Sequence, residues 1–222
     1  MHLNPIDLLL HLNEHLDQVA LQIGGWSYLL LFLIVFCESG LVVTPFLPGD
    51  ALLFTVGALT ATTRHFDLYV VLILLPIAAF VGYTLNYWIG AAFGRALSKR
   101  ENSRIFNRKY LEQTHAFYDR HGGKTIALAR YLPVIRTFAP FVAGMAAMDY
   151  PKFFLYNLVG GIFWVFTVVL LGHFFGGLPY VQHNFSLVIL GVIVISMIPP
   201  GIEFAKAWLA GRSEAGRTSS GK

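Results

Sequence analysis

Two stretches place charge beside proline inside otherwise apolar sequence: Glu38-Ser39-Gly40-Leu41-Val42-Val43-Thr44-Pro45-Phe46-Leu47-Pro48-Gly49-Asp50 and Arg130-Tyr131-Leu132-Pro133-Val134-Ile135-Arg136-Thr137-Phe138-Ala139-Pro140. A soluble core rejects both. In a bilayer each charge costs about 2.5–3.5 kcal/mol at the centre, so four isolated ones would cost roughly 10 kcal/mol or more. Ionisable residues kept at that expense mark a site.

The surrounding composition makes lipid the solvent. The chain is 56% hydrophobic and 13% charged, against about 25% charged in an ordinary soluble domain. Its 222 residues exceed one anchor, and the apolar runs are numerous, so the membrane portion is the protein, in one domain spanning about 26–210. The net charge of +4 is unevenly placed. Residues 95–124 hold eight Lys and Arg, and Lys206, Arg212, Arg217 and Lys222 follow near the C-terminus. The positive-inside rule puts both regions in the cytoplasm, and the N-terminus is expected on the same side. Topology accounts for that basic segment without nucleic acid. Cys37 is the only cysteine, so no intrachain disulfide forms. Asp7, Glu14 and Asp17 precede any Lys or Arg, unlike the basic start of a secretory signal, so no cleavage is expected.

Along the chain, Asn4-Pro5 reads as a helix start, and residues 1–25 as an amphipathic interfacial helix ending at Gly24-Gly25. Trp26 to Val43 could span, since about 20 residues cross the hydrocarbon. Pro45 and Pro48 stop it and free backbone carbonyls. Ala51 to Thr62 then resumes a helix too short to cross. Two geometries fit: a loop outside the membrane, or a re-entrant hairpin over about 44–63 whose irregular tip is buried in protein. The hairpin is favoured, because the segment is apolar apart from Asp50 and irregular backbone at that depth needs protein or a watery cavity beside it.

Leu68 to Phe93 reads as a full span, with Gly82, Gly90 and Gly94 permitting close helix contact. Thr125 to Met148 repeats the interrupted pattern as a second hairpin, over about 125–148. Phe153 to Gly177 and Phe185 to Ala210 are further spans, the last kinked at Pro199-Pro200, and 211–222 is a polar tail expected to be disordered. The fold class is therefore an all-α integral membrane protein with about four full spans, two re-entrant hairpins and amphipathic interfacial helices. Each interrupted pair precedes a long span ending Gly-x-x-x-Gly, at Gly90–Gly94 and Gly172–Gly176. Counting crossings makes the two units inverted copies, an arrangement that points to a transport site near the midplane.

Arg130 and Arg136 flank Pro133, and a planar guanidinium that stays charged suits phosphate; the alternative is an orienting or snorkelling pair. Burial disfavours the charged form of a carboxyl group, so Glu38 and Asp50 read as a proton relay, or as partners of the arginines that hold two hairpins together. Gly49 and Thr137 could add backbone donors to an anion. Asn86 and Asn157, with Tyr83, Tyr87 and Trp164, read as interhelical hydrogen-bonding positions. Metal-ligand spacing, a Gly-x-Ser-x-Gly elbow and a phosphate-gripping Walker loop do not occur, so neither cofactor nor enzymatic chemistry is expected.

These residues in this order carry a resemblance. Glu38 with Thr44-Pro45-Phe46-Leu47-Pro48-Gly49-Asp50, the Gly82 and Asn86-Tyr87 helix, Arg130 to Arg136 with Pro140, Ala143-Gly144-Met145, and Phe153 to Trp164 resemble the bacterial DedA family over nearly the whole chain. The resemblance implies a fold shared with eukaryotic lipid scramblases, a cytoplasmic-membrane location, and a role in recycling undecaprenyl phosphate or distributing phospholipid, linked to the proton-motive force. It implies essential acids at Glu38 and Asp50 and essential arginines at Arg130 and Arg136. Tyr83 departs from the pattern, since relatives often carry Asp after the equivalent of Gly82. The leading expectation is a flippase for an anionic lipid, with Arg130 and Arg136 on the phosphate, Glu38 and Asp50 in proton coupling or charge pairing, and Pro45, Pro48, Gly49, Asn86, Pro133, Pro140 and Asn157 in support. The alternative is a proton-coupled carrier of small ions or solutes.

Overall fold

The computed structural model describes residues 22–41, 49–63, 65–98, 124–131, 133–185 and 187–192. The interfacial helix before residue 22, Pro45 and Pro48, most of the basic segment, the last span beyond residue 192 and the C-terminal tail lie outside the described residues. Those described are helical, with no strand among them.

Helix α1, Trp26–Gly40, stops three residues short of the span expected from the sequence. Leu41 turns to an extended conformation after Gly40. At 15 residues and 1.5 Å per residue it covers only about 22 Å. Helix α2 runs Gly49–Thr62, with Asp50 in its first turn. Helix α3, Leu68–Ser98, carries Pro76 inside it and outlasts its expected end at Phe93. The second interrupted segment forms α4, Lys124–Ala129, and α5, Pro133–Met145, with Arg130 and Tyr131 in a turn after α4. Pro133 opens α5, where its missing N–H is harmless. Pro140 lies inside α5 and breaks nothing. Helix α6, Tyr150–Gly176, starts with Asp149 as N-cap and Pro151 in the first turn, and the short α7, Pro179–His183, follows it.

Of these, α3 over Leu68–Ala96 and α6 are long and apolar enough to cross a membrane. They bury only part of their apolar surface. Ile73, Leu155, Phe163 and Phe174 stand outward and exposed, as lipid-facing side chains do when the helix's solvent is hydrocarbon. Inward, Leu31, Val35, Leu53, Val56, Leu75, Val165 and Val169 form one core; Tyr83, Tyr87, Ile126, Ala143 and Phe153 form another beside it.

Glycine sets how the short helices dock on the long ones. A side chain at Gly57 of α2 would strike the Val169 carbonyl of α6, and one at Gly172 of α6 would strike the Phe54 carbonyl of α2. The same exchange joins α5 to α3: Gly144 faces the Tyr87 carbonyl and Gly90 the Phe141 carbonyl. Backbone meets backbone at both crossings, the geometry that small residues permit in lipid. Helix α2 therefore packs against the long helix of the second half of the sequence, and α5 against that of the first.

Candidate functional site

The break between α4 and α5 and the start of α2 converge on the middle of α3. Glu38 lies in the last turn of α1 and is 2% exposed; Arg136 lies one turn into α5 and is 7% exposed. The two form a direct ion pair. The other Arg136 nitrogen, Nη1, donates to Asp50 Oδ1 at 3.1 Å. That same oxygen accepts a hydrogen bond from Trp164 Nε1 of α6 at 3.0 Å, and the Arg136 guanidinium carbon stands 5.4 Å from the Trp164 ring centre. One arginine thus holds both acids. Gly49 makes the approach possible, because any Cβ there would collide with the Glu38 carboxylate.

Asn86 aligns this pair from below. Its Nδ2 donates to the Thr137 carbonyl at 2.9 Å and reaches the Ser39 carbonyl at 3.4 Å, the neighbours in sequence of Arg136 and Glu38.

Arg130 is differently placed. It is 2% exposed and, among the described residues, has no carboxylate within salt-bridge distance. Its Nη2 donates to Asn157 Oδ1 and lies 3.5 Å from the Ala79 carbonyl, while its guanidinium carbon sits 3.8 Å above the Tyr83 ring centre. A desolvated cation over an aromatic face gains roughly 2 kcal/mol, well short of what an ion pair supplies to a buried charge. Asn157 is fixed in turn by donating from Nδ2 to the Phe80 carbonyl at 3.1 Å and to Thr84 Oγ1 at 3.2 Å. Gly161 clears the space beside it: a Cβ there would lie 3.3 Å from Arg130 Nη2.

Glu38, Ser39, Tyr83, Arg130, Arg136, Thr137 and Trp164 enclose a cavity of about 10 Å³, the lower limit for one water. A phosphate does not fit while Arg136 holds both acids.

The structure brings Glu38, Asp50, Arg136, Arg130, Gly49, Asn86 and Asn157 into one buried layer. Pro133 and Pro140 are one turn or more along α5 from it in sequence, and Pro45 and Pro48 lie outside the described residues. Asn157 and Trp164 make interhelical hydrogen bonds, as read from the sequence, but two of their partners were not foreseen: Asn157 also accepts from Arg130, and Trp164 donates to Asp50. An indole N–H in an apolar span needs an acceptor, and the intramembrane acids are the strongest acceptors in the sequence; that signal was available. Among the described residues no group of His, Cys, Asp and Glu could hold a metal ion.

Residues 47–174 match the VTT domain family. Over 202 residues, 90% of this chain and 92% of the relative, the sequence is 51% identical to Protein DedA of Escherichia coli K12. The chain belongs to the DedA family. An uncharacterized membrane protein of Mycobacterium leprae is 42% identical over 82% of this chain and 80% of its own length. The inner membrane protein YqjA of Escherichia coli K12 is 31% identical over 70% of each chain. No solved structure matches. The family assignment and the outward apolar faces of α3 and α6 agree that this is a helical membrane protein.

Proposed function

We propose that the chain is a transporter, not an enzyme, moving an anionic lipid across the bacterial cytoplasmic membrane, with polyprenyl phosphate the first candidate and phospholipid the second. The observation that carries the reading is the unequal treatment of two buried arginines. Arg136 is engaged by two carboxylates, whereas Arg130 has a neutral amide, a carbonyl and an aromatic ring around it. A buried guanidinium with no acid beside it among the described residues is suited to receive an anion, and its planar donors fit phosphate. The lipid's apolar tail stays in the bilayer.

Two arginines and two acids make the layer formally neutral. A phosphate seated at Arg130 adds negative charge to a desolvated site, and protonating Glu38 or Asp50 offsets it and frees Arg136. Proton movement is thereby tied to headgroup movement. The reciprocal glycine crossings support an inverted repeat in which α2 and α5 are the inner arms of two opposed re-entrant hairpins, with the interrupted segments meeting near the midplane. The charge distribution supports cytoplasmic termini.

Reconstitution into liposomes tests this. Protein-dependent exposure of labelled polyprenyl phosphate on the opposite leaflet is expected, and Arg130→Lys should reduce the rate at least tenfold, because an ammonium lacks the planar donor pair. Uptake of a small solute under a pH gradient, with no lipid movement, would replace the reading by the solute carrier.

A further inference from the structure

Tyr83 is 1% exposed, and its hydroxyl has no hydrogen-bond partner among the described residues; nor has Arg130 Nε. Buried polar atoms are nearly always paired, so each orphan needs a reason. Both belong to residues lining a small cavity of the charged layer, and the hydroxyl lies within Coulombic range of Arg130, Arg136 and Glu38. A phenylalanine would supply the same ring face to Arg130 without leaving a polar atom unmatched. The unmatched phenolic O–H and guanidinium N–H belong to side chains whose ring centre and guanidinium carbon lie 3.8 Å apart, two donors available to an acceptor in a cavity that Glu38, with its own unpartnered Oε2, also lines.

We propose that Tyr83 belongs to the anion site: its ring holds Arg130 in place, and its hydroxyl donates to an oxygen of the phosphate that Arg130 binds. This rests on reading Arg130 as the headgroup residue. The ligand class is a phosphate monoester or diester, whether on a lipid or free. Tyr83 also sets selectivity, because a ring leaves the Arg130 charge available where a carboxylate at the same position would neutralise it. Asp at position 83 would convert the anion site into a second ion pair.

The test uses the full chain in nanodiscs, with binding of a short-chain isoprenyl monophosphate, the matching uncharged isoprenol and inorganic phosphate each followed by calorimetry. Tyr83→Phe keeps the ring, Tyr83→Leu removes it and Tyr83→Asp adds a carboxylate. A hydrogen bond to a charged group predicts that Tyr83→Phe weakens the monophosphate about tenfold or more with isoprenol unchanged; Tyr83→Leu and Tyr83→Asp should weaken it further. Inorganic phosphate competing at similar concentration would identify the free ion as ligand, and failure to compete would assign the site to the lipid-borne group. Wild-type protein that binds the monophosphate, with Tyr83→Phe binding it equally, overturns the role of Tyr83 and leaves Arg130 standing. Wild-type protein that binds neither phosphate overturns the Arg130 reading itself. Should Tyr83→Phe fail to fold, 3-fluorotyrosine in the wild-type chain serves instead: the resonance assigned to position 83 must shift on adding the monophosphate, and an unmoved resonance overturns the proposal.

Discussion

At the scale of the residue, the two arginines predict different failures. Arg136→Ala leaves the buried Glu38 and the part-buried Asp50 without their cation, and stranding buried charge in this way costs about 3–5 kcal/mol; thermal unfolding in nanodiscs should show it. Replacing all three at once, Arg136→Met with Glu38→Gln and Asp50→Asn, should restore most of that stability while abolishing proton-linked transport, because a buried ion pair can be exchanged for matched neutral groups at little cost. Arg130 and its amide partner follow the other pattern. Asn157→Leu removes the acceptor for Nη2 and the donor to Phe80 and Thr84, so headgroup binding should fall even where the helices stay folded. The charges themselves were legible in the sequence, since Glu38, Asp50, Arg130 and Arg136 are costly in an apolar run. Which arginine receives the acids was not. That depends on Gly49 letting the α1 carboxylate close against α2, and on Trp164 arriving from a helix more than a hundred residues further along the chain.

At the scale of the element, glycine and one alanine make checkable claims. Gly172→Ala and Gly90→Ala each drive a methyl into a carbonyl oxygen of the neighbouring helix. Backbone cannot step aside as a side chain can, so each should cost about 1–3 kcal/mol or more, seen as a lower unfolding temperature or loss of folded protein on expression. Helix α5 ends oppositely, with room for improvement. Ala147 has φ 54°, and Met148 N–H bonds to the Ala143 carbonyl while Ala147 N–H bonds to that of Gly144, each at 3.0 Å. This is a Schellman ending whose left-handed position normally carries glycine. Ala147→Gly should stabilise the protein by up to about 1 kcal/mol, read from the same unfolding curves. The element pattern itself was largely readable: the break near Pro133, the long helices and the Gly-x-x-x-Gly endings follow from local chemistry. The early end of α1 at Gly40 was not, because Leu41 to Val43 are as apolar as the residues before them. Gly40 passes close against Gly82 at that point, a tertiary contact that the apolar pattern does not encode.

At the scale of the whole molecule, α1 and α5 pack on α3, α2 and α4 pack on α6, and α3 and α6 meet through cores that both sides share. The polar layer lies across their boundary. Glu38 and Arg136 belong to the α3 side, while Asp50, Arg130, Asn157 and Trp164 belong to the α6 side. Arg136–Asp50, Arg130–Tyr83 and Asn157–Phe80 join the two sides through polar contacts beside those shared cores. Hydropathy could place the helices in lipid, but it could not assign them to sides, because the crossings depend on glycines distributed through both halves. The roughly 10 Å³ cavity has an electrical consequence. A membrane at 100 mV pushes each elementary charge with about 2.3 kcal/mol, and any continuous file of water would short-circuit it. Among the described residues, room for about one water beside the Arg136 ion pairs is too little for such a file. Liposomes carrying the wild-type protein should hold an imposed voltage as long as empty ones until a phosphate-bearing lipid is added, so a cell could keep many copies in its energy-storing membrane without draining it.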